Sequence, residues 1–242
     1  MAEVGTLPAD RRAVVVREPA GDDELVALEG AGTPLDTALA LAASLVDGVD
    51  DWLELPAVDL AAALLLVRCA WVGRWIRTEA DCPDPGCRER VDIEFEVAAY
   101  LAHRRSRRPR GVVDRGADGY ELGGVRFRVP TVRDLVDGDL ERCIEQPVSA
   151  ALARRVERAL ESLAPPLAGS LAGTCPACGA TVELWFEPID YVLAELRDAS
   201  AGLLRDVHEL ASAYHWPEPA ILGLDRRRRQ DYVELVRGEL VA

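Results

Sequence analysis

Four cysteines in two short turns constrain the fold of this 242-residue chain more than any other feature. Cys82 and Cys87 bracket the sequence CPDPGC, and Cys175 and Cys178 bracket the sequence CPAC. Turns of this kind each present two thiolates to one tetrahedral zinc ion, at about 2.3 Å from each sulfur. Four thiolates also close the coordination sphere, so no position is left for a catalytic water. The sequence therefore predicts one structural Zn²⁺ site that joins two distant segments.

Each cysteine turn begins one copy of an internal repeat. Alternating stretches follow both turns, at 91–97 and 181–187, and a period of two predicts a strand. Their apolar residues stand at the same offsets from Cys87 and Cys178. Tyr100 and Tyr191 then follow at matching distances, where a helix is expected to start. We expect the two strands to pair with each other and to bury one apolar layer, made of Val91, Ile93, Phe95, Val182, Leu184 and Phe186.

Two other interpretations of the cysteines stay open. The four thiols could be buried without a metal, although turns that contain Pro and Gly favour surface positions. Cys175 and Cys178 could form a redox pair, although no thioredoxin-like strand, loop and helix follows them. Cys69 and Cys143 lie singly on helical patterns, which indicates small side chains in a core.

Composition and charge narrow the possible partners. Hydrophobic residues make up 49% of the chain, which is enough for a sizeable core. The formal net charge of −14 opposes general nucleic-acid binding, because phosphate contacts need a surplus of Lys and Arg. The most apolar run, 61–67, is too short to span a bilayer, and residues 1–7 lack the pattern of a secretory signal. We expect a bacterial cytoplasmic protein with no nucleic-acid partner and no membrane insertion.

The remaining patterns predict an α+β fold in four segments. Residues 1–30 form an N-terminal strand and turn arm, and 31–80 form a helical region. Residues 81–190 form a small zinc-ribbon-like antiparallel sheet, stapled by zinc and interrupted by a hairpin and helix insertion. Residues 191–242 form a helical C-terminal region.

Individual elements follow from periodicity and from start and stop signals. They are a strand at 13–18, a turn at 19–23, helices at 35–45 and 58–77, a hairpin over 120–129 that turns at Gly123 and Gly124, a helix at about 149–163, and a last helix capped by Asp225.

The sequence contains no recognisable catalytic motif. It has neither a phosphate-binding glycine loop nor a Gly-x-Ser-x-Gly turn, and its three histidines accompany no nucleophile motif. The acidic pairs at 22–23 and 50–51 are typical of solvated turns. An enzyme would need a cleft that places His208 or His215 beside carboxylates, so we predict a protein that is not an enzyme.

Candidate partner-binding residues lie near the C-terminus. Tyr214 and Trp216 form an apolar corner that is either core packing or a docking anchor, since exposed aromatic residues commonly make binding hot spots. Arg227 and Arg228 belong to a basic cluster on the last helix and could contact an acidic partner. A second basic cluster occupies 104–110.

Four short features are spread along most of the chain. They are VVVREP at 14–19 with GDDE at 21–24, the helix that runs into the Cys82 turn and its strand, RFRVPTVRDL at 126–135, and YHWP at 214–217 with ILGL at 221–224 and RRRQDY at 227–232. Together they resemble the T4-like phage baseplate hub assembly family and its relatives in bacterial contractile injection systems. The cysteine turns are not general among the phage members, so they direct the resemblance toward the injection-system branch.

The resemblance implies a role without catalysis. Such proteins bind hub or wedge components of a baseplate, either as assembly chaperones or as lasting parts of the particle, and they have no active site to transfer. The alternative is a zinc-ribbon regulatory adaptor that binds another macromolecular complex through its C-terminal helices.

Overall fold

Antiparallel pairing builds each sheet of this protein. The computed structural model describes residues 3–146 and 148–239. Its strands are β1 (Glu3–Thr6), β2 (Ala13–Val16), β3 (Val46–Asp47), β4 (Trp75–Asp81), β5 (Arg90–Glu96), β6 (Val113–Asp114), β7 (Tyr120–Leu122), β8 (Val125–Phe127), β9 (Gly169–Thr174) and β10 (Thr181–Phe186). The strand orders within the sheets are β1-β2-β3, β4-β5, β6-β7-β8 and β9-β10.

Helices flank these sheets and form most of the C-terminal region, which confirms the predicted α+β class. They are α1 (Gly21–Glu29), α2 (Pro34–Leu45), α3 (Ala57–Trp71), α4 (Val97–His103), α5 (Val132–Asp137), α6 (Ala150–Leu163), α7 (Pro188–Ser200), α8 (Leu203–Tyr214), α9 (Glu218–Leu222) and α10 (Arg226–Glu239). Three parts of the predicted segments lie outside the described residues, namely 1–2, 147 and 240–242.

Helix α3 lies at the centre of the largest core. Leu60, Leu64 and Leu65 are fully buried, as expected for a helix that is apolar on nearly all sides. The helices α2 and α7 and the strand β1 pack around it. Among the residues that the structure describes, no helix is both long enough and apolar enough to cross a membrane.

The predicted end of this helix at position 77 is wrong. Helix α3 ends at Trp71, and Gly73 then adopts a positive φ of 125° that redirects the chain into β4. The side chains of β4 alternate between exposed and buried as expected for a strand, with Ile76 buried between the exposed Trp75 and Arg77. The predicted helical region 31–80 therefore contains most of a strand.

The predicted turn at 19–23 is also wrong, because helix α1 begins at Gly21. Asp23 starts this helix by accepting a hydrogen bond from the N–H of Ala20 at 2.8 Å. The same carboxylate accepts two bonds from the guanidinium of Arg17 at 2.9 and 2.8 Å. Asp23 is only 3% exposed, so it is a buried capping residue and not part of a solvated acidic turn.

The two repeated strands do not pair with each other as expected. Strand β5 pairs with β4, and β10 pairs with β9, so each cysteine turn lies inside its own hairpin. Pairing with the preceding strand needs only a short turn, whereas pairing between the repeats would close a long loop. The two hairpins nevertheless face each other, with the rings of Phe95 and Phe186 centred 5.4 Å apart.

The insertion between the two repeats matches the prediction. Strands β7 and β8 form a hairpin, and Gly123 and Gly124 occupy its turn with φ values of 60° and 80°. Positive φ at both central positions is typical of the type I′ turn, which glycine adopts without strain. Helix α6 covers this hairpin with Val156, Ala159 and Leu163, which are buried in a small separate cluster.

The C-terminal helices form another small cluster around Leu210, Ile221 and Val233. The predicted cap of the last helix is confirmed, because Asp225 Oδ1 accepts a hydrogen bond from the N–H of Arg228 at 2.8 Å. Helices α8 and α9 also contact α1, which ties this cluster to the N-terminal part of the chain.

Candidate metal centre

The two hairpins present their cysteines at equivalent places. Cys82 directly follows β4, and Cys175 directly follows β9. Backbone hydrogen bonds close both turns: the N–H of Cys87 donates to Asp84 O at 3.0 Å, and the N–H of Gly179 donates to Cys175 O at 2.9 Å. These bonds hold the tip of each hairpin in a tight turn, and the two thiols of each turn lie on the same side of it.

The four thiols converge on one point. The sulfurs of Cys82, Cys87, Cys175 and Cys178 all lie within 4.8 Å of one another. The Sγ atoms of Cys82 and Cys178 are 3.5 Å apart, and those of Cys87 and Cys175 are 3.7 Å apart. Both close pairs join one turn to the other, so the cluster is shared between the two hairpins, as the sequence predicts.

These distances fit a tetrahedral ion and do not fit disulfides. Four sulfurs at about 2.3 Å from a tetrahedral metal stand about 3.8 Å apart. A disulfide requires about 2.05 Å between its sulfurs, and all four cysteines are free. The cluster therefore has the donor set and the spacing to hold one metal ion.

The surroundings of the cluster shift the pKa values of its thiols in opposite directions. The backbone N–H of Cys178, with that of Ala177, lowers the pKa of Cys175 to about 7. The N–H of Asp84 acts in the same direction on Cys82, but burial and the three neighbouring thiols outweigh it and raise the pKa of Cys82 to about 12. A divalent cation offsets the repulsion among the sulfurs and allows all four to ionise.

The cluster lies at the outer end of the two hairpins. Cys82 and Cys175 are buried, Cys87 is half-buried and Cys178 is exposed. Val91 and Val182 pack beneath the sulfurs and shield one side from water. An ion at this position would fasten together two hairpins that are distant in the sequence.

The strands that precede the cysteine turns were missed by sequence analysis. Strand β9 has the sequence GSLAGT, whose small residues carry little strand signal. Strand β4 alternates in burial, but its sequence continues directly from an apolar helix. The useful signal was the cysteine turn itself, since such a turn normally joins the two strands of a hairpin.

Three of the four predicted partner-binding residues, Tyr214, Trp216 and Arg228, lie close together in the C-terminal region. The rings of Tyr214 and Trp216 stack with centroids 4.9 Å apart, and both are partly buried. Arg228 lies over the ring of Tyr232, 5.9 Å from its centroid, and Trp216 meets that ring edge-on at 4.9 Å. Tyr232 thus belongs to this surface although sequence analysis did not single it out. Arg227 is exposed and lines a separate small cavity together with Pro19 and Gln230.

Comparisons with known proteins do not assign the chain to a family. No protein-family model matches it, and neither a curated protein nor a solved structure matches it significantly.

Proposed function

We propose that this chain is a non-enzymatic structural or assembly component of the baseplate of a phage-tail-like contractile injection system, stapled by one structural zinc ion. The convergence of four cysteine sulfurs within 4.8 Å supports the zinc site. The resemblance of four separate features to baseplate assembly proteins supports the cellular role. On this proposal the protein acts in the bacterial cytoplasm and either leaves the baseplate after assembly or stays in the finished particle.

The chemistry of the ligands favours zinc. Soft thiolates select zinc or iron over magnesium and calcium, and a closed tetrahedral set of four sulfurs is typical of structural zinc. No coordination position is left for water or substrate when all four thiolates bind. The ion on this proposal stabilises the fold and takes no part in a reaction.

Metal analysis of the purified protein tests the zinc site. We expect about one zinc per chain in the wild type and none in a Cys175→Ser/Cys178→Ser variant, with a lower melting temperature. Cys69→Ala is the matched control, because Cys69 lies outside the cluster on α3 and its loss should leave the zinc content unchanged. A wild-type protein without metal and with six titratable thiols would refute the site, and iron in its place would correct the metal.

Co-purification tests the role in assembly. The tagged chain should form a stable complex with a hub or wedge protein that is encoded beside it. A Trp216→Ala/Arg228→Ala variant should weaken that complex if the aromatic surface is the contact. Arg158→Ala, on the exposed side of α6, is a matched control. Failure to bind any neighbouring baseplate protein, with salt-sensitive binding to DNA or polymerase instead, would favour the regulatory adaptor.

A further inference from the structure

The three-stranded sheet at the start of the chain ends in an unpaired edge. Strand β1 pairs with β2, with Glu3 opposite Val16 and Thr6 opposite Ala13. Within the described part of the chain, no strand and no isolated bridge pairs with the other side of β1. An open edge of this kind is a ready template for another strand.

The alternation of hydrogen bonds shows which residues face the open edge. Directly after β1, the N–H of Leu7 donates to Arg12 O at 2.9 Å, which continues the same register. Bonded and non-bonded pairs alternate along an antiparallel ladder, so Gly5 bonds to β2 while Val4 and Thr6 direct their N–H and C=O groups outward. Neither Val4 nor Thr6 has a hydrogen-bond partner on that side among the residues described.

A groove of about 870 Å³ runs along the open edge. Every residue of β1 lines it, and α4 lines the opposite side with the exposed side chains of Ala98 and Ala102. Helix α3 contributes Leu66, which lies so close to β1 that a Cβ atom on Gly5 would stand 2.4 Å from its Cδ1. The groove therefore offers apolar contacts beside the unpaired backbone groups.

The charged side chains that line the groove carry one more positive than negative charge. Three arginines line it, Arg11, Arg74 and Arg105, against two glutamates, Glu3 and Glu96. Arg74 lies 3.9 Å from Glu96, whereas Arg105 has no charged or hydrogen-bonded partner among the described residues. This local excess of positive charge contrasts with the net charge of −14 for the whole chain.

We propose that the open edge of β1 is a docking site for an extended, acidic segment of another protein, which adds to the sheet as a further strand. Main-chain hydrogen bonds to Val4 and Thr6 would supply the affinity in such strand addition. The arginines would select an acidic sequence through charge complementarity. A second copy of this chain is a poorer occupant, because a symmetric edge-to-edge contact would bring the same arginines together. The proposal depends neither on the metal site nor on the baseplate role.

A model peptide tests this proposal directly. The probe is a fluorescein-labelled peptide of about ten residues in which Glu alternates with Val or Thr. One control peptide carries Lys in place of each Glu. The other keeps Glu and carries N-methyl groups on alternate backbone nitrogens. We expect saturable binding of the acidic probe by fluorescence anisotropy, and at least about tenfold weaker binding of each control.

Amide hydrogen exchange gives an internal control within the same strand. In the free protein the amides of Val4 and Thr6 should exchange quickly, and that of Gly5 more slowly because it already bonds to β2. Binding of the probe should slow the exchange of Val4 and Thr6 at least about tenfold and change Gly5 much less.

Substitutions in the edge strand β1 and at an arginine of the groove complete the test. Thr6→Pro removes an outward N–H, whereas Thr6→Val keeps it, so only the proline variant should weaken binding, by about tenfold. Arg105→Glu should weaken binding more than Arg158→Glu at a distant exposed site. Circular dichroism and melting curves confirm that each variant is folded.

Three outcomes would overturn the proposal. They are no binding of the acidic probe at about 1 mM, equal binding of the Lys peptide, and equal binding to Thr6→Pro and Thr6→Val. Concentration-dependent dimers in sedimentation, with exchange at Val4 and Thr6 slowed by protein concentration alone, would assign the edge to a second copy instead.

Discussion

Buried charged side chains in this protein join segments that are distant in the sequence. Arg229 on α10 is fully buried and donates to Glu24 on α1, with Nη2 and Oε1 2.5 Å apart. Asp206 on α8 lies 3.7 Å from the Nε of the same guanidinium. Two of the guanidinium nitrogens, Nε and Nη1, have no hydrogen-bond partner among the residues that the structure describes, so part of the desolvation cost is not offset.

Removing Arg229 should destabilise the protein strongly. Arg229→Met leaves the buried carboxylate of Glu24 without its cation, which should lower the free energy of unfolding by about 3–5 kcal/mol in urea titrations. Adding Glu24→Gln to this variant should recover part of the loss, because the carboxylate of Asp206 still has Gln230 and Arg237 as partners. Equal loss in the single and double variants would show that the ion pair contributes little beyond packing.

Asp59 should make the stability depend on pH in an unusual direction. Burial raises the pKa of Asp59 to about 6, against the hydrogen bonds that it accepts from the N–H groups of Ala9 and Asp10. Between about pH 4 and pH 6 the folded state then holds a proton that the unfolded state has lost. The contribution of Asp59 to the free energy of unfolding should therefore fall as pH rises through this window, by at most about 3 kcal/mol.

The matched variant for this effect is Asp59→Asn. Subtracting its unfolding free energies from those of the wild type at each pH isolates the titration of this one carboxyl group. A difference that stays flat from pH 4 to pH 6, or that rises, would contradict the raised pKa.

Among the secondary-structure elements, those with strong local signals have the bounds that their sequences predict. Helix α2 begins at Pro34 after the cap residue Thr33, whose Oγ1 accepts a hydrogen bond from the N–H of Asp36 at 3.2 Å. Asp36 Oδ2 in return accepts from the N–H of Thr33 at 2.9 Å, which completes a capping box. Helix α2 therefore carries its own start signal and depends little on distant contacts for its N-terminal boundary.

Loss of this cap should cost a moderate amount of stability. Thr33→Ala leaves the N–H of Asp36 without its side-chain acceptor, which should lower the free energy of unfolding by about 1 kcal/mol. Thr33→Ser keeps the hydroxyl and should stay within a few tenths of a kcal/mol of the wild type. Chemical denaturation of the three proteins distinguishes them. Equal losses for Ala and Ser would mean that the methyl group of Thr33 matters and the cap does not.

Within the described residues, the largest apolar core is accompanied by three smaller clusters, which differ in how much apolar surface they bury. The hairpin insertion and the C-terminal helices each have a cluster of apolar side chains. The ends of the two cysteine hairpins bury only two cysteines and two valines, Val91 and Val182. This small cluster buries little apolar surface, so we expect a metal ion held by the four sulfurs to be the main link between the hairpin ends.

Metal removal should therefore act locally. With a strong chelator, or at a pH low enough to protonate the thiolates, amide exchange should accelerate in β4, β5, β9 and β10. The amides of α8 and α10 should stay protected, because their cluster around Leu210 and Val233 contains none of the four cysteines. Protection that is lost equally in both regions would instead indicate one cooperative unit, and unchanged exchange in the hairpins would contradict a stabilising ion.

Local patterns alone predicted several parts of this structure correctly. The hairpin at Gly123 and Gly124, the helix α6 and the Asp225 cap all depend on residues that are neighbours in the chain. The cysteine cluster was also predictable, because four thiols in two matched turns have few other chemical uses. The bounds of α3 and β4 were not, since Trp75 to Arg77 fits the end of an apolar helix as well as the start of a strand.

Short-range patterns were therefore enough to predict the fold class, the grouping of the four cysteines and the elements that carry their own caps and turns. Three features depend on contacts between distant segments: each cysteine turn closes its own hairpin, Arg229 reaches Glu24, and β1 keeps an open edge. The physical reason is range. Caps, turns and periodicity act over a few residues, whereas strand partners and buried ion pairs depend on which surfaces the folded chain brings together.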